Sequence, residues 1–72
     1  MRIVKIYTAV VERDTETGLY VAHVPGIAGA HTQAGGLDEL QANLREVLEL
    51  VLENGETAPT VEFVGIQQVT IS

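Results

Sequence analysis

A single stretch of the chain has the hydrophobic repeat of an amphipathic helix, and it constrains the fold of everything around it. The stretch covers residues 37–54, and its apolar side chains recur every three or four positions: Leu37, Leu40, Leu44, Val47, Leu48 and Val51. Asp38 and Glu39 fall in the first turn, where the helix dipole favours negative charge. Asn54-Gly55 is typical of a helix C-terminus. Because one helix cannot bury its own stripe, the rest of the chain must form the surface that covers it.

Segments rich in β-branched residues predict that this surface is a sheet. Three precede the helix and one follows it, over residues 3–12, 19–24, 30–33 and 61–71. Breaks in the pattern are marked by glycine or proline, at Gly18, Pro25, Gly35 and Pro59. Gly65 marks a bulge in the last segment. The order strand, strand, strand, helix, strand predicts an α+β domain of βββαβ order, with one sheet and one helix on one of its faces.

The first predicted strand is largely apolar on both of its faces. By the two-residue period, one face carries Val4, Ile6, Thr8 and Val10. The other carries Ile3, Tyr7, Ala9 and Val11. One helix covers only one face, and monomers rarely leave a large apolar patch in water. The last strand, in addition, has no proline or lysine to protect an edge. We therefore expect a homo-oligomer, a dimer or a tetramer.

Composition sets the remaining limits. A chain of 72 residues is one domain, 1–72, and it contains no cysteine, which excludes disulfides and thiol nucleophiles. The net charge of −6 and the lack of clustered cations argue against direct nucleic-acid binding. No apolar run approaches the roughly 20 residues of a membrane span, and no signal peptide is evident. We expect a cytoplasmic protein that does not enter a membrane.

Residues with catalytic or metal-binding chemistry are sparse. The only serine is Ser72, at the end of the chain, so a serine triad has no plausible nucleophile. His23 and His31 flank the loop 25–30 without an obvious third metal ligand. The strand centres contain no acid, which argues against a metal-dependent nuclease site. We expect no enzyme activity, no cofactor and no metal; a metal-dependent nuclease is the less favoured alternative.

The helix carries the strongest candidate for a binding surface. At 100° per residue, its acids gather opposite the leucine stripe: Asp38, Glu39, Glu46, Glu49 and Glu53. Leu50 falls off the stripe beside them. An ordinary solvated helix face would also be acidic. The functional interpretation is a surface that docks a basic partner, with Glu46, Glu49, Leu50 and Glu53 as partner-binding residues.

An ordered set of residues in the middle of the chain resembles the HicB-like antitoxin family. It joins an aromatic second strand, a Pro-x-x-x-Gly loop, a Thr-Gln segment and an acidic, leucine-rich helix. The residues are Tyr7, Gly18-Leu19-Tyr20-Val21-Ala22, Pro25, Gly29, Thr32-Gln33, Glu39-Leu40 and Asn43-Leu44. The resemblance covers about residues 7–53. Where family members often have glycine and then an acid after Thr-Gln, this chain has Ala34 and Gly35.

The resemblance implies a partial ribonuclease H-like fold and the role of an antitoxin in a toxin–antitoxin pair. Such a domain binds a small basic HicA-like toxin that cleaves messenger RNA, and blocks it without being a nuclease itself. Many members also carry a C-terminal DNA-binding domain. Because this sequence stops at Ser72, directly after the last predicted strand, we expect no such module. A self-associating domain without a toxin partner is the alternative.

Overall fold

Three short antiparallel strands and one helix make up the fold. The computed structural model describes residues 4–55 and 61–72. Strands β1 (Val10–Arg13), β2 (Tyr20–His23) and β3 (His31–Ala34) form one sheet in the order β1-β2-β3, and helix α1 (Leu37–Glu53) follows. The predicted α+β class, one sheet with one helix, is confirmed. Two residues used in the sequence argument, Ile3 and Pro59, lie outside the described residues.

The sheet register separates a face that packs against the helix from an open face. Ala22 pairs with Val11 and Thr32, and Ala34 pairs with Tyr20, so these positions share the helix-facing side. The open face carries the alternate positions, which are Val10, Glu12, Val21, His23, His31 and Gln33. Most of these side chains are polar. The expectation of a largely apolar uncovered face is therefore wrong for the paired part of the sheet, because the polar residues of β2 and β3 alternate onto it.

Small side chains on the sheet let the helix approach closely. Ala22 and Ala34 form a buried cluster with Leu40 and Leu44 from the helix, and Tyr20 packs against its margin. Leu40 is only 2% exposed and is the largest fully buried side chain of the described residues. Leu40 and Leu44 of the predicted leucine stripe thus supply the helix side of the core.

The β1–β2 hairpin is held by one aspartate. The carboxylate of Asp14 accepts hydrogen bonds from the backbone N–H groups of Glu16, at 2.8 Å, and Thr17, at 3.2 Å. Gly18 closes the turn with a φ of +78°, a backbone conformation that residues with a Cβ rarely adopt. Its N–H donates to the Asp14 carbonyl at 2.8 Å. The predicted polar hairpin loop is confirmed, and its shape comes from side-chain-to-backbone bonds.

Both helix ends agree with the sequence. Asp38 and Glu39 lie in the first turn, after Gly36, which supplies no side-chain cap. At the other end, the backbone N–H of Asn54 donates to the Leu50 carbonyl at 3.2 Å, and Gly55 follows with a φ of +77°. The predicted end at Asn54-Gly55 is therefore confirmed to within one residue.

One predicted strand is shorter than the sequence pattern, and another is absent from the described residues. The first, predicted over 3–12, begins only at Val10, and residues 4–9 carry no strand. The fourth, predicted over 61–71, is not formed: residues 61–72 have no strand and are exposed throughout. The physical reason is that a strand is defined by hydrogen bonds to a neighbour, and β-branched composition does not supply the neighbour. The described part of the chain thus has the order βββα, and the fourth strand of the predicted βββαβ order is absent there.

Candidate protein-binding surface

The five acids of α1 lie on its solvent side, opposite the buried leucines. We call Asp38, Glu39, Glu46, Glu49 and Glu53 the acidic ridge; every one of them is exposed. Glu46, Glu49 and Glu53 are spaced by three and four residues, so they are neighbours on the helix surface. The prediction from the helical period, that these acids lie on the solvent side of the helix, is confirmed. Its use in binding a partner stays a prediction.

One cation lies beside the acidic ridge, and the sequence analysis did not single it out. The guanidinium Nε of Arg45 lies 3.8 Å from a carboxylate oxygen of Glu49, one helical turn away. Both side chains are well exposed, so this pair contributes little to stability and leaves Glu49 accessible. The signal that could have found it is the reversed i, i+4 pairing of arginine and glutamate. Within the described residues, none of the other four acids of the ridge forms such a pair.

Leu50 continues the acidic ridge toward the edge of the sheet. It lies in the last turn of α1 and is 56% exposed. An exposed leucine is common by itself, and its place beside the acids is what makes it a candidate contact. Two turns earlier, the amide of Asn43 donates to the backbone carbonyl of Gln33 on β3, at 3.4 Å. Since β3 is an outer strand, this bond joins the helix to an open sheet edge. Since residues seven apart lie on the same side of a helix, Leu50 lies on the side of α1 that Asn43 turns toward β3.

The two histidines meet on the open face of the sheet. His23 and His31 are direct partners in the β2–β3 register, and both are exposed. They line a shallow depression with Val21, Thr32 and Gln33. Among residues 4–55 and 61–72, no group of three or more histidine, cysteine or acidic side chains is close enough to hold a metal ion. The sequence placed the histidines near a strand end; the register, which brings them together, required the structure.

An apolar groove runs between the N-terminal segment and the helix. Its volume is about 890 Å³, and its walls include Ile6, Tyr7, Leu48 and Leu52. Leu37, which the helical period assigned to the buried stripe, is 57% exposed and lines this groove. That assignment is wrong because Leu37 begins the helix, where the sheet no longer lies beneath it. The sequence analysis did not foresee the groove, since its N-terminal wall and its helix wall are more than 25 residues apart in the chain.

Three described acids outside the helix are dispersed over the fold. Glu12 lies on the open sheet face, Glu16 in the hairpin loop, and Glu62 in the C-terminal segment, all of them exposed. The described residues also contain no helix long and apolar enough to cross a lipid bilayer. The candidate functional features of the described residues are three surfaces: the acidic ridge, the edge of the sheet and the groove beside the helix.

These features define a small α+β protein whose exposed surfaces, more than any enclosed pocket, are candidates for function. Comparison with known proteins then places the chain. No family model matches it. It is 44% identical over 68 residues to a UPF0150 protein of Thermotoga maritima, covering 93% of this chain and 91% of that relative. UPF0150 proteins of Synechocystis and Archaeoglobus fulgidus are each 43% identical over 65 residues, covering 90% of this chain and 93% of each relative. The chain belongs to the UPF0150 family.

Proposed function

We propose that this protein is a protein-binding domain that acts as an antitoxin, resembling the HicB-like antitoxins. Its partner would be a small basic HicA-like toxin that cleaves messenger RNA. The observation that carries the proposal is the acidic ridge, which lies next to the exposed Leu50 on the solvent side of α1. An RNA-cleaving protein needs a cationic surface to hold its substrate, and an acidic surface of matching size competes for it.

The mechanism is occlusion of the RNA-binding surface of the toxin. Glu46 and Glu53, with Asp38 and Glu39 at the other end of the ridge, supply most of the opposing charge, since Glu49 has Arg45 nearby. Long-range attraction between opposite charges speeds encounter, whereas retention depends on contacts that exclude water. Leu50 is the apolar contact within the surface, and the open edge of β3 extends it. No catalytic group of the antitoxin takes part.

The ridge is tested by replacing Glu46, Glu49 and Glu53 together with glutamine. We expect the association rate with a HicA-like toxin to fall by about tenfold at low salt, because steering by opposite charges is lost. The salt dependence of that rate should flatten as well. Folding should be nearly unchanged, since exposed substitutions of this kind move stability by less than roughly 0.5 kcal/mol each. The measurement is binding kinetics on an immobilised toxin at two salt concentrations, with circular dichroism to verify the fold.

A matched control separates the location of the charge from its total. Replacing Glu12, Glu16 and Glu62 with glutamine changes the net charge by the same amount, away from the ridge. Leu50→Ala should leave the association rate unchanged and raise the dissociation rate. Equal association rates for the ridge variant and the control variant would contradict the proposal and would leave the ridge as ordinary solvated helix surface.

A further inference from the structure

Two extended segments of the chain carry exposed apolar side chains. The N-terminal arm, residues 4–9, exposes Val4 at 77% and Ile6 at 89%. The C-terminal arm, residues 61–72, exposes four apolar side chains to similar degrees, Val64 at 90%, Ile66 at 87%, Val69 at 83% and Ile71 at 89%, and two less, Val61 at 57% and Phe63 at 38%. Exposure of this extent at several β-branched residues within a short segment is typical of an interaction surface rather than of scattered surface positions.

We propose that the C-terminal arm of each chain pairs with the N-terminal arm of a second copy, so that two copies form a strand-exchanged dimer. The arm would lie in the groove between residues 5–9 and α1. It would become the fourth strand of the neighbouring sheet, while β1 extends back toward the start of the chain. This inference does not depend on the proposed antitoxin role.

The groove matches the arm in chemistry and position. Its apolar walls are Ile6 from the N-terminal arm and Leu48 and Leu52 from α1, which match the apolar side chains of the C-terminal arm. Charged side chains also line the groove, namely Lys5, Asp38, Arg45 and Glu49, and they suit the polar side chains that alternate along that arm. β1 is an outer strand with β2 on one side only, so the backbone beside the groove has a free edge. Pairing along residues 4–9 would satisfy backbone N–H and C=O groups of both arms. It would also explain why, within one copy, the first strand begins only at Val10 and the predicted fourth strand is not formed.

The shape of the molecule favours a second copy as the source of the arm. None of the residues 61–72 lines the groove, and all of them are exposed. The radius of gyration is 14.2 Å, where a compact domain of this length has about 11 Å. The long axis is 51 Å, and the other two are 27 and 23 Å. A C-terminal arm that extends away from its own sheet and helix can reach the groove of a second copy.

The size and symmetry of the contact suit a stable dimer. The two arms contribute six and twelve residues from each copy, close to the roughly 20 residues a side of a standard interface. Each copy donates one arm and accepts one, so the contact is closed by a two-fold axis and does not grow into a fibre. Exchange of an identical element is a low-cost route to such a dimer.

A pair of point variants tests the exchange. The wild-type chain should sediment at about twice 7.7 kDa at micromolar concentration. Ile66→Glu should raise the dimer dissociation constant at least tenfold, because a charge would enter the apolar groove. Gln67→Glu adds the same charge next to it, at a position that is already polar, and should stay dimeric. A wild-type chain that remains monomeric throughout, or an Ile66→Glu variant as dimeric as Gln67→Glu, would overturn the proposal.

A mixing experiment distinguishes exchange from a dimer held by another surface and from an arm that folds onto its own chain. Ile66→Glu damages the arm and Ile6→Lys damages the groove, so each variant alone has only defective contacts. Mixed together, they form one intact arm–groove contact, and the other contact pairs the new glutamate with the new lysine. Native mass spectrometry with one variant isotopically labelled should therefore show heterodimers at concentrations where neither variant dimerises. Absence of this rescue would contradict exchange. Replacement of Glu46 and Glu53 alone with glutamine should leave the dimer intact, because these two ridge residues do not line the groove, and this keeps the outcome separate from the antitoxin test.

Discussion

At the scale of single residues, glycines with different backbone conformations have opposite consequences for stability. Gly18 closes the β1–β2 turn with a φ of +78°. Gly36, before the helix, has an extended φ of −145°, and a Cβ there would meet no atom within 4 Å. The first position therefore needs glycine, and the second does not. Nothing in the composition distinguishes the two.

This difference gives a prediction about helix capping. Gly36→Ser should stabilise the protein by about 0.5–1 kcal/mol, because serine can cap the helix and restricts the unfolded chain. Gly18→Ala should destabilise it by about 1–2 kcal/mol, because alanine is strained at positive φ. Urea denaturation followed by circular dichroism measures both. A Gly36→Ser variant no more stable than the wild type would show that another group already satisfies the helix N-terminus.

At the scale of elements, the packing of α1 on the sheet depends on small residues beneath it. Ala34 is 5% exposed and lies in the cluster with Leu40 and Leu44. The next residue back, Gln33, is on the open face and is exposed. A change at these neighbouring positions therefore tests the helix–sheet contact and leaves the composition of β3 nearly the same.

We expect Ala34→Leu to destabilise the protein by about 1–3 kcal/mol, since the added carbons push the helix from the sheet. Gln33→Leu adds a leucine on the other side and should change stability by less than about 0.5 kcal/mol. Thermal denaturation of both variants is the measurement. Equal midpoints would mean that the helix does not rest on this part of the sheet.

At the scale of the whole molecule, charge separates candidate partners. Of the four lysine and arginine residues, only Arg2 and Lys5 are near one another in the sequence, and Arg45 lies 3.8 Å from Glu49. The remaining surface is dominated by the ten acids. No described face offers the row of cations that phosphate neutralisation requires. A basic protein partner and a second copy of the chain both suit this surface better than a nucleic acid does.

Accordingly, the protein should show no measurable binding to duplex DNA at physiological salt. The cause is repulsion between the phosphates and a chain of net charge −6. An electrophoretic mobility assay with protein up to low micromolar concentration measures it. A shift that weakens as salt rises would contradict the prediction and would point to a cationic surface formed only in an oligomer.

The sequence by itself determined the helix, its bounds, the hairpin and the exposed position of the acidic ridge. These features depend on residues close together in the chain: the spacing of Leu40 and Leu44, the turn at Gly18 and the acids opposite the stripe. Only the tertiary structure decided which β-rich segments are paired, that His23 meets His31, and that Leu37 and Leu52 border a groove. Those outcomes depend on which distant segments form hydrogen bonds with one another. The β-propensity of a segment indicates that it can pair, but it does not indicate which other segment it pairs with.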